Sequence, residues 1–193
     1  LIVFQQMACR NIIHGDDKLQ LKKRSLTPFT QVDVTDGIRL ILEIDKKGPI
    51  MSKFEVATDS NLHAILTTEV RENTLFASLS VDDKVKSKLG FGISGRVNAI
   101  EQARISEYSS VYLKGSSDKF ELTTGMKAVF DGQDFIVKKA KVNAKYGGNI
   151  SICATERVYG TIGRHASIKV YCGADISGLE VIKGGILKQM TAQ

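Results

Sequence analysis

Two aspartates that precede two lysines form the best candidate for acid–base chemistry in this 193-residue sequence. Asp131 and Asp134 are followed by Lys138 and Lys139, and carboxylates beside a basic group can hydrolyse or eliminate acidic polysaccharides. The segment Asp131-Gly132-Gln133-Asp134 also has the composition of a turn, in which Asp side chains bond to nearby backbone. We interpret the cluster as a turn and predict no catalytic residue. A polysaccharide-cleaving enzyme is the second alternative for function.

The other reactive residue types form no catalytic or metal-binding pattern. His165 lies near Ser167, but no serine stands in a Gly-x-Ser-x-Gly elbow. The three cysteines and three histidines lack the spacing of metal ligands. We therefore expect no metal and no cofactor.

The last two cysteines, Cys153 and Cys172, are separated by about the length of one repeat. Aligning Ile150 with Ile168 places Cys153 opposite Tyr171, so that Cys172 falls one position later. Because successive residues of a strand point to opposite faces, the two sulfur atoms should face opposite ways. We predict that Cys153 and Cys172 do not form a disulfide.

One segment has the composition of a binding surface. In "KKAKVNAKYGG", a regular strand would project its polar residues from one face, and neighbouring strands would add two more side chains to a basic strip. The predicted strip comprises Lys139, Lys141, Lys145, Tyr146, Lys169 and Tyr171. It suits an acidic polysaccharide or another subunit, and the net charge of +6 favours polyanions. With no arginine-rich arm, we expect no nucleic acid; lysines that merely keep a strand soluble are the alternative.

The elements that would carry this strip are strands. Apolar residues alternate with period two, whereas no window shows the i, i+3, i+4, i+7 pattern of a helix. Pairs of a small residue and a β-branched residue recur at Ser110-Val111, Ala128-Val129, Asn149-Ile150 and Ser167-Ile168. This recurrence indicates coils of a β-solenoid in which Val111, Val129, Ile150 and Ile168 stack inward. A β-sandwich is the alternative that this pattern leaves open.

The N-terminal segment differs from the rest of the chain. Residues 1–25 combine an apolar start, "LIVF", with a polar connector, and residues 26–193 form the main domain. Ala8-Cys9 resembles the end of a bacterial lipoprotein signal, in which Cys9 would be lipidated. Otherwise the apolar residues would cap their own solenoid or pair with a neighbouring subunit, giving head-to-tail polymers. The predicted contact residues are Leu1, Ile2, Val3 and Phe4. No apolar run reaches the roughly 18 residues that cross a bilayer.

A family resemblance covers most of the chain, from about Leu26 to Lys188. It begins with "SLTPFTQVDVTDGIRLIL" and "VATDSNLHAILTTEVRENTLFASL", continues through the repeats "SEYSSVYL", "TTGMKAVF", "KYGGNISI" and "GRHASIKV", and ends in "YCGADISGLEVIKGGILKQM". In this order the segments resemble the auto-transporter adhesin head domain, or GIN domain, of Bacteroidetes. The repeats depart from the family's small residues at Glu107, Tyr108, Met126, Lys127 and Arg164.

The resemblance implies a right-handed, single-stranded β-helix that is exported to the bacterial envelope or cell surface. We expect an all-β, non-enzymatic protein that is adhesin-like or forms a structural subunit of an extracellular filament or other assembly. The first alternative is a binding module for acidic glycans.

Overall fold

The computed structural model describes residues 12–48, 53–81 and 84–190, and about two thirds of these residues are in strands. Besides one short 3-10 helix at Ser60–Leu62, the described elements are β1 (Ile12–His14), β2 (Leu19–Ser25), β3 (Gln31–Val34), β4 (Ile38–Ile44), β5 (Lys53–Asp59), β6 (Leu66–Arg71), β7 (Thr74–Leu79), β8 (Lys84–Lys86), β9 (Phe91–Val97), β10 (Gln102–Ile105), β11 (Ser110–Thr124), β12 (Val129–Ala144), β13 (Asn149–Ile162), β14 (Ser167–Tyr171), β15 (Asp175–Val181) and β16 (Ile186–Gln189). The predicted all-β class is confirmed.

Three long strands organise the sheet. The first halves of β11, β12 and β13 lie between β4 and β14, whereas their second halves lie between β10 and β15. The sheet therefore has two walls that share these strands, and it curls into an open half-barrel. Register shifts between Tyr112 and Gly115 and between Gly132 and Ile136 mark the bends. Buried side chains of both walls form one core cluster.

The predicted right-handed, single-stranded β-helix is wrong. Fourteen of the described strands form a single curled sheet, in which β2–β5, β5–β9 and β6–β7 pair antiparallel. The tight turn at Glu72 and Asn73, both with positive φ, sends β7 back along β6, as two-residue hairpin turns do. A strand that turns back along its neighbour in this way does not form the next coil of a β-helix. The alternative, a β-sandwich, is closer to this arrangement because a core is enclosed between two walls.

The repeats nevertheless set the register of the long strands. Ser110 pairs with Val129, Val129 with Asn149, and Asn149 with Ser167, all in parallel. The buried row beside them consists of Val111, Phe130, Ile150 and Ile168. The predicted inward position of Val129 is therefore wrong by one residue, and a one-residue shift turns a side chain to the other face.

Five stacked turns lie at one edge of the sheet, and we call them the turn ladder. They follow β10, β11, β12, β13 and β15. The turns are 106–109, 125–128, 145–148, 163–166 and 182–185. The first residue of each donates its N–H to a carbonyl at the end of the neighbouring strand; for example, Gly125 N lies 2.8 Å from Ile105 O. The third residue of each turn has positive φ, the left-handed conformation that closes a tight turn. The second residues are exposed, so the ladder presents a regular row of side chains.

Cys153 and Cys172 form a disulfide, contrary to prediction, with their Cα atoms 5.2 Å apart. The predicted pairing of Cys153 with Tyr171 is correct. Cys172, however, lies just beyond β14 and has φ of 70°. The alternation of side chains applies only within an extended strand, and the left-handed residue turns its sulfur back toward Cys153.

The predicted polar connector contributes to the sheet, since β2 pairs antiparallel with β5. Arg24 of β2 donates hydrogen bonds to the carbonyl oxygens of Leu66 and His63 and to the Thr68 hydroxyl. Cys9 and Leu1–Phe4 lie outside the described residues, so lipidation and the predicted subunit contact stay predictions.

Candidate functional site

A groove of about 820 Å³ lies where the second halves of the long strands meet the turn ladder. We call this feature the groove. Its floor is a row of side chains from four adjacent strands, namely Arg104, Thr123, Asn143 and Thr161. Its rim consists of turn-ladder residues, namely Lys145, Tyr146, Arg164 and Ile182.

Strand alternation explains why the floor is polar. Thr123 and Asn143 each lie between two buried residues of their strands, so their own side chains point outward. Arg104 on β10 and Thr161 on β13 pair with them across the sheet. Adjacent strands lie about 4.8 Å apart. The floor therefore offers one polar side chain per strand, in a row that runs across the strands.

A close approach between two turns gives the groove its rim. A Cβ at Gly163 would lie only 2.3 Å from the carbonyl oxygen of Lys145, so only glycine allows the two turns to meet. Gly147 N then donates to the carbonyl oxygen of Arg164 over 3.2 Å. Tyr146 extends from this rim with 67% of its surface exposed.

The groove is positively charged. Arg104, Lys145 and Arg164 are exposed, and none of them has an ion-pair partner within 4.0 Å among the residues that the structure describes. No carboxylate lines the described groove. Outside the groove, the row continues to a carboxylate at each end, because Asp33 is the cross-strand partner of Arg104 and Glu180 is the cross-strand partner of Thr161. Burial raises the pKa of Asp33, and the charge of Arg104 partly opposes that shift.

The structure separates the predicted basic strip into three groups. Lys145 and Tyr146 lie at the groove rim. Lys139 and Lys141 lie on β12 outside the groove, 3.6 and 3.7 Å from carboxylates of Glu156 and Glu121.

Lys169 and Tyr171 belong to the other wall. They pair with Ser151 and Cys153 in the first half of β13, whereas the groove involves its second half. Because β13 bends between its halves, residues adjacent in the repeat pattern lie on different walls. The expectation that Lys169 and Tyr171 extend the strip of Lys139 and Lys141 is therefore wrong in its geometry.

Sequence reasoning missed Arg104, Thr123 and Thr161, which only the sheet register brings together. Arg164 differs from the small residue that this repeat position normally carries, and this difference is visible in the sequence. That difference gave no position for the side chain until the stacking of the turns was known.

Residues 131–134 do not form the predicted turn between strands, because they lie within β12, at the register shift where this strand bends. The Asp131 carboxylate accepts the backbone N–H of Gln133 at 3.2 Å. Lys138 pairs instead with Asp118 at 2.9 Å, and this contact lowers the pKa of Asp118 and raises that of Lys138. In the described part of the chain, no cluster of three or more His, Cys, Asp or Glu side chains is arranged to hold a metal ion. Likewise, no described helix is long and apolar enough to cross a membrane.

Comparison with known proteins supports the resemblance seen in the sequence. Residues 94–174 match the family model described as "Putative auto-transporter adhesin, head GIN domain". The predicted family resemblance is thereby confirmed over this segment, which contains the whole groove except Ile182. No curated protein matches the chain.

Solved structures resemble the fold at low sequence identity. A crystal structure described as a putative adhesin from Bacteroides fragilis has a TM-score of 0.60 and 14% identity, over 92% of this chain and 100% of that one. One described as a putative lipid binding protein from Parabacteroides distasonis has a TM-score of 0.51 and 13% identity, over 94% and 100% of the two chains. The family match agrees with the predicted adhesin-like class, and the two solved structures resemble this chain in fold.

Proposed function

We propose that this chain is an exported, adhesin-like binding protein that holds an acidic glycan in the groove. The observation that carries the proposal is the set of three cationic side chains that have no ion-pair partner among the described residues, beside an exposed tyrosine and a polar floor. An enzyme is not proposed, because the described residues bring no acid–base pair into this groove.

The groove chemistry suits a sugar acid. Arg104, Arg164 and Lys145 can donate charge-assisted hydrogen bonds to carboxylate or sulfate oxygens. Thr123, Thr161 and Asn143 can exchange hydrogen bonds with sugar hydroxyls. The exposed ring of Tyr146 offers an apolar face to the C–H face of a pyranose.

Export is supported by the covalent chemistry of the chain. The Cys153–Cys172 disulfide belongs to an oxidising compartment such as the periplasm or the cell exterior. A surface location follows for a protein of this adhesin-like class, whether or not Cys9 carries a lipid. Head-to-tail assembly through Leu1–Phe4 stays a separate prediction, which deletion of residues 1–13 tests by abolishing filaments.

Two lysine variants test the site against a general charge effect. Lys145→Gln and Lys139→Gln remove the same charge, but only Lys145 lies in the groove. Binding of hyaluronan, chondroitin sulfate and neutral dextran is measured by isothermal calorimetry. We expect Lys145→Gln to weaken binding of one acidic polymer by about tenfold, the equivalent of one charged contact. Lys139→Gln should change the affinity much less, because Lys139 lies outside the groove and already pairs with a carboxylate. Neutral dextran should not bind to any of the proteins.

Salt provides an independent measurement on the same proteins. Binding through exposed charges should weaken as ionic strength rises, because the Debye length falls from about 10 Å at 0.1 M salt to about 3 Å at 1 M. Equal losses in Lys145→Gln and Lys139→Gln would exclude the groove as the site. Acidic polymers that fail to bind the wild-type protein would contradict the proposed function.

A further inference from the structure

The turn ladder continues past the groove and carries a second group of exposed side chains. Next to the turn that holds Tyr146 lies turn 125–128, with exposed Met126 and Lys127, and then turn 106–109, with exposed Tyr108. Lys127 Nζ lies 4.8 Å from the centre of the Tyr108 ring and 3.3 Å from its hydroxyl oxygen. A cation and an aromatic ring thus form a pair outside the groove, and we call it the distal pair.

The backbone holds the distal pair in line with the groove. Tyr108 N donates to the Met126 carbonyl oxygen at 3.1 Å, which joins the first two turns. Lys145 N donates to Thr124 O at 3.0 Å, which joins turn 145–148 to the end of β11, directly before turn 125–128. Each step along the ladder is one strand spacing, about 4.8 Å, which is close to the length of one pyranose unit. The row of exposed turn residues and the groove floor therefore run in the same direction, across the strands.

Charge gives this row a defined end. Lys183, Arg164, Lys145 and Lys127 contribute cations along the turns, whereas Glu107 contributes a carboxylate in the last of the five. The Glu107 carboxylate accepts the Thr35 hydroxyl at 3.1 Å. An acidic chain is thus attracted as far as Lys127 and repelled beyond it.

We infer that the ligand is a linear acidic polysaccharide that crosses the strands, with the groove as one subsite and the distal pair as a second. Lys127 binds an acidic group that lies about two sugar units from the one held by Arg164, because their turns are two strand spacings apart. Tyr108, in the turn beyond Lys127, packs against the sugar at the end of the bound chain. This inference rests on the proposed function and adds the orientation and minimum length of the ligand. A short acidic oligosaccharide fills the groove alone, whereas a long one reaches both subsites.

Chain length and mutation together test the second subsite. The full chain and its variants Lys127→Gln, Arg164→Gln and Lys22→Gln are titrated with a disaccharide, which is too short to join Arg164 to Lys127, and with a long fraction of the acidic polymer that binds best. We expect Lys127→Gln to weaken binding of the long fraction by about tenfold, through loss of one charged contact, and to leave disaccharide binding unchanged. Arg164→Gln should weaken both. Lys22→Gln, which removes an exposed charge from β2, should affect neither.

The outcomes separate this inference from the proposed function. If the wild type binds both lengths equally and Lys127→Gln has no effect on the long fraction, the distal subsite is wrong while the groove stands. If neither length binds, the proposed function fails. Lys127→Arg, which retains the cation, should restore long-chain binding and shows that Lys127→Gln acts through charge. Lys127-dependent binding to phosphatidylglycerol vesicles without any binding to polysaccharide would overturn the inference in favour of a membrane surface.

Discussion

Loss of the Cys153–Cys172 disulfide should lower the free energy of unfolding by about 3 kcal/mol. The two cysteines are separated by 19 residues. A cross-link that closes a loop of this length lowers the conformational entropy of the unfolded chain, and this raises the free energy of the unfolded state by about 3 kcal/mol. For a domain of this size, each kcal/mol shifts the midpoint of thermal unfolding by about 2–4 °C. The expected fall in Tm is therefore roughly 6–12 °C.

Urea unfolding of the wild type with and without a reducing agent measures this difference without a mutation. Cys172→Ser provides the second measurement, and it avoids a cavity because Cys153, the buried partner, is retained. The reducing agent should have no further effect on this variant. Cys9→Ser is the matched control, since it removes a cysteine that does not belong to the bridge.

Two results would refute the reasoning. Equal unfolding midpoints for oxidised and reduced wild type would mean that the bridge does not restrict the unfolded chain as calculated. A peptide map in which Cys153 and Cys172 occur as free thiols in protein taken from its native cells would mean that the bridge does not form there, and would remove one argument for export.

Three further predictions concern stability. Phe120→Ala should cost about 3–5 kcal/mol in urea unfolding, because this fully buried ring packs against two other phenylalanines; a loss below 1 kcal/mol would contradict a core enclosed by both walls. Gly160→Ala should cost more than Gly173→Ala, since both have positive φ but only the former would place a Cβ 2.2 Å from a carbonyl oxygen; equal losses would contradict the close approach. Asp33→Asn should raise Tm at neutral pH and change it little near pH 3, about one unit below the ordinary pKa of Asp. Burial raises the pKa of Asp33, so its charged form costs stability above the folded pKa, a cost that disappears below the unfolded pKa; a fall in Tm at neutral pH would contradict this sign.

The site was predictable only in part. Lys145 and Tyr146 were expected to bind a ligand, and the structure places them at the groove rim. Arg104 and Thr161 were not expected, because they are 57 residues apart in sequence (161 − 104) and meet only through two intervening strands. Lys169 was expected beside Lys141, yet the bend in β13 places the two lysines on different walls.

The sequence by itself determined the all-β class, the family resemblance and the recurrence of the long strands, although the predicted register placed Val129 one residue away from the buried row. These features depend on short-range patterns, namely the alternation of apolar residues and a repeat of roughly 18–21 residues. Such patterns can be recognised without knowledge of distant contacts. The tertiary structure decided the rest. Where a long strand bends, which neighbour each of its halves accepts and where Cys172 leaves the extended conformation all depend on packing between segments far apart in sequence. For that physical reason the curled sheet, the disulfide and the groove became evident only in three dimensions.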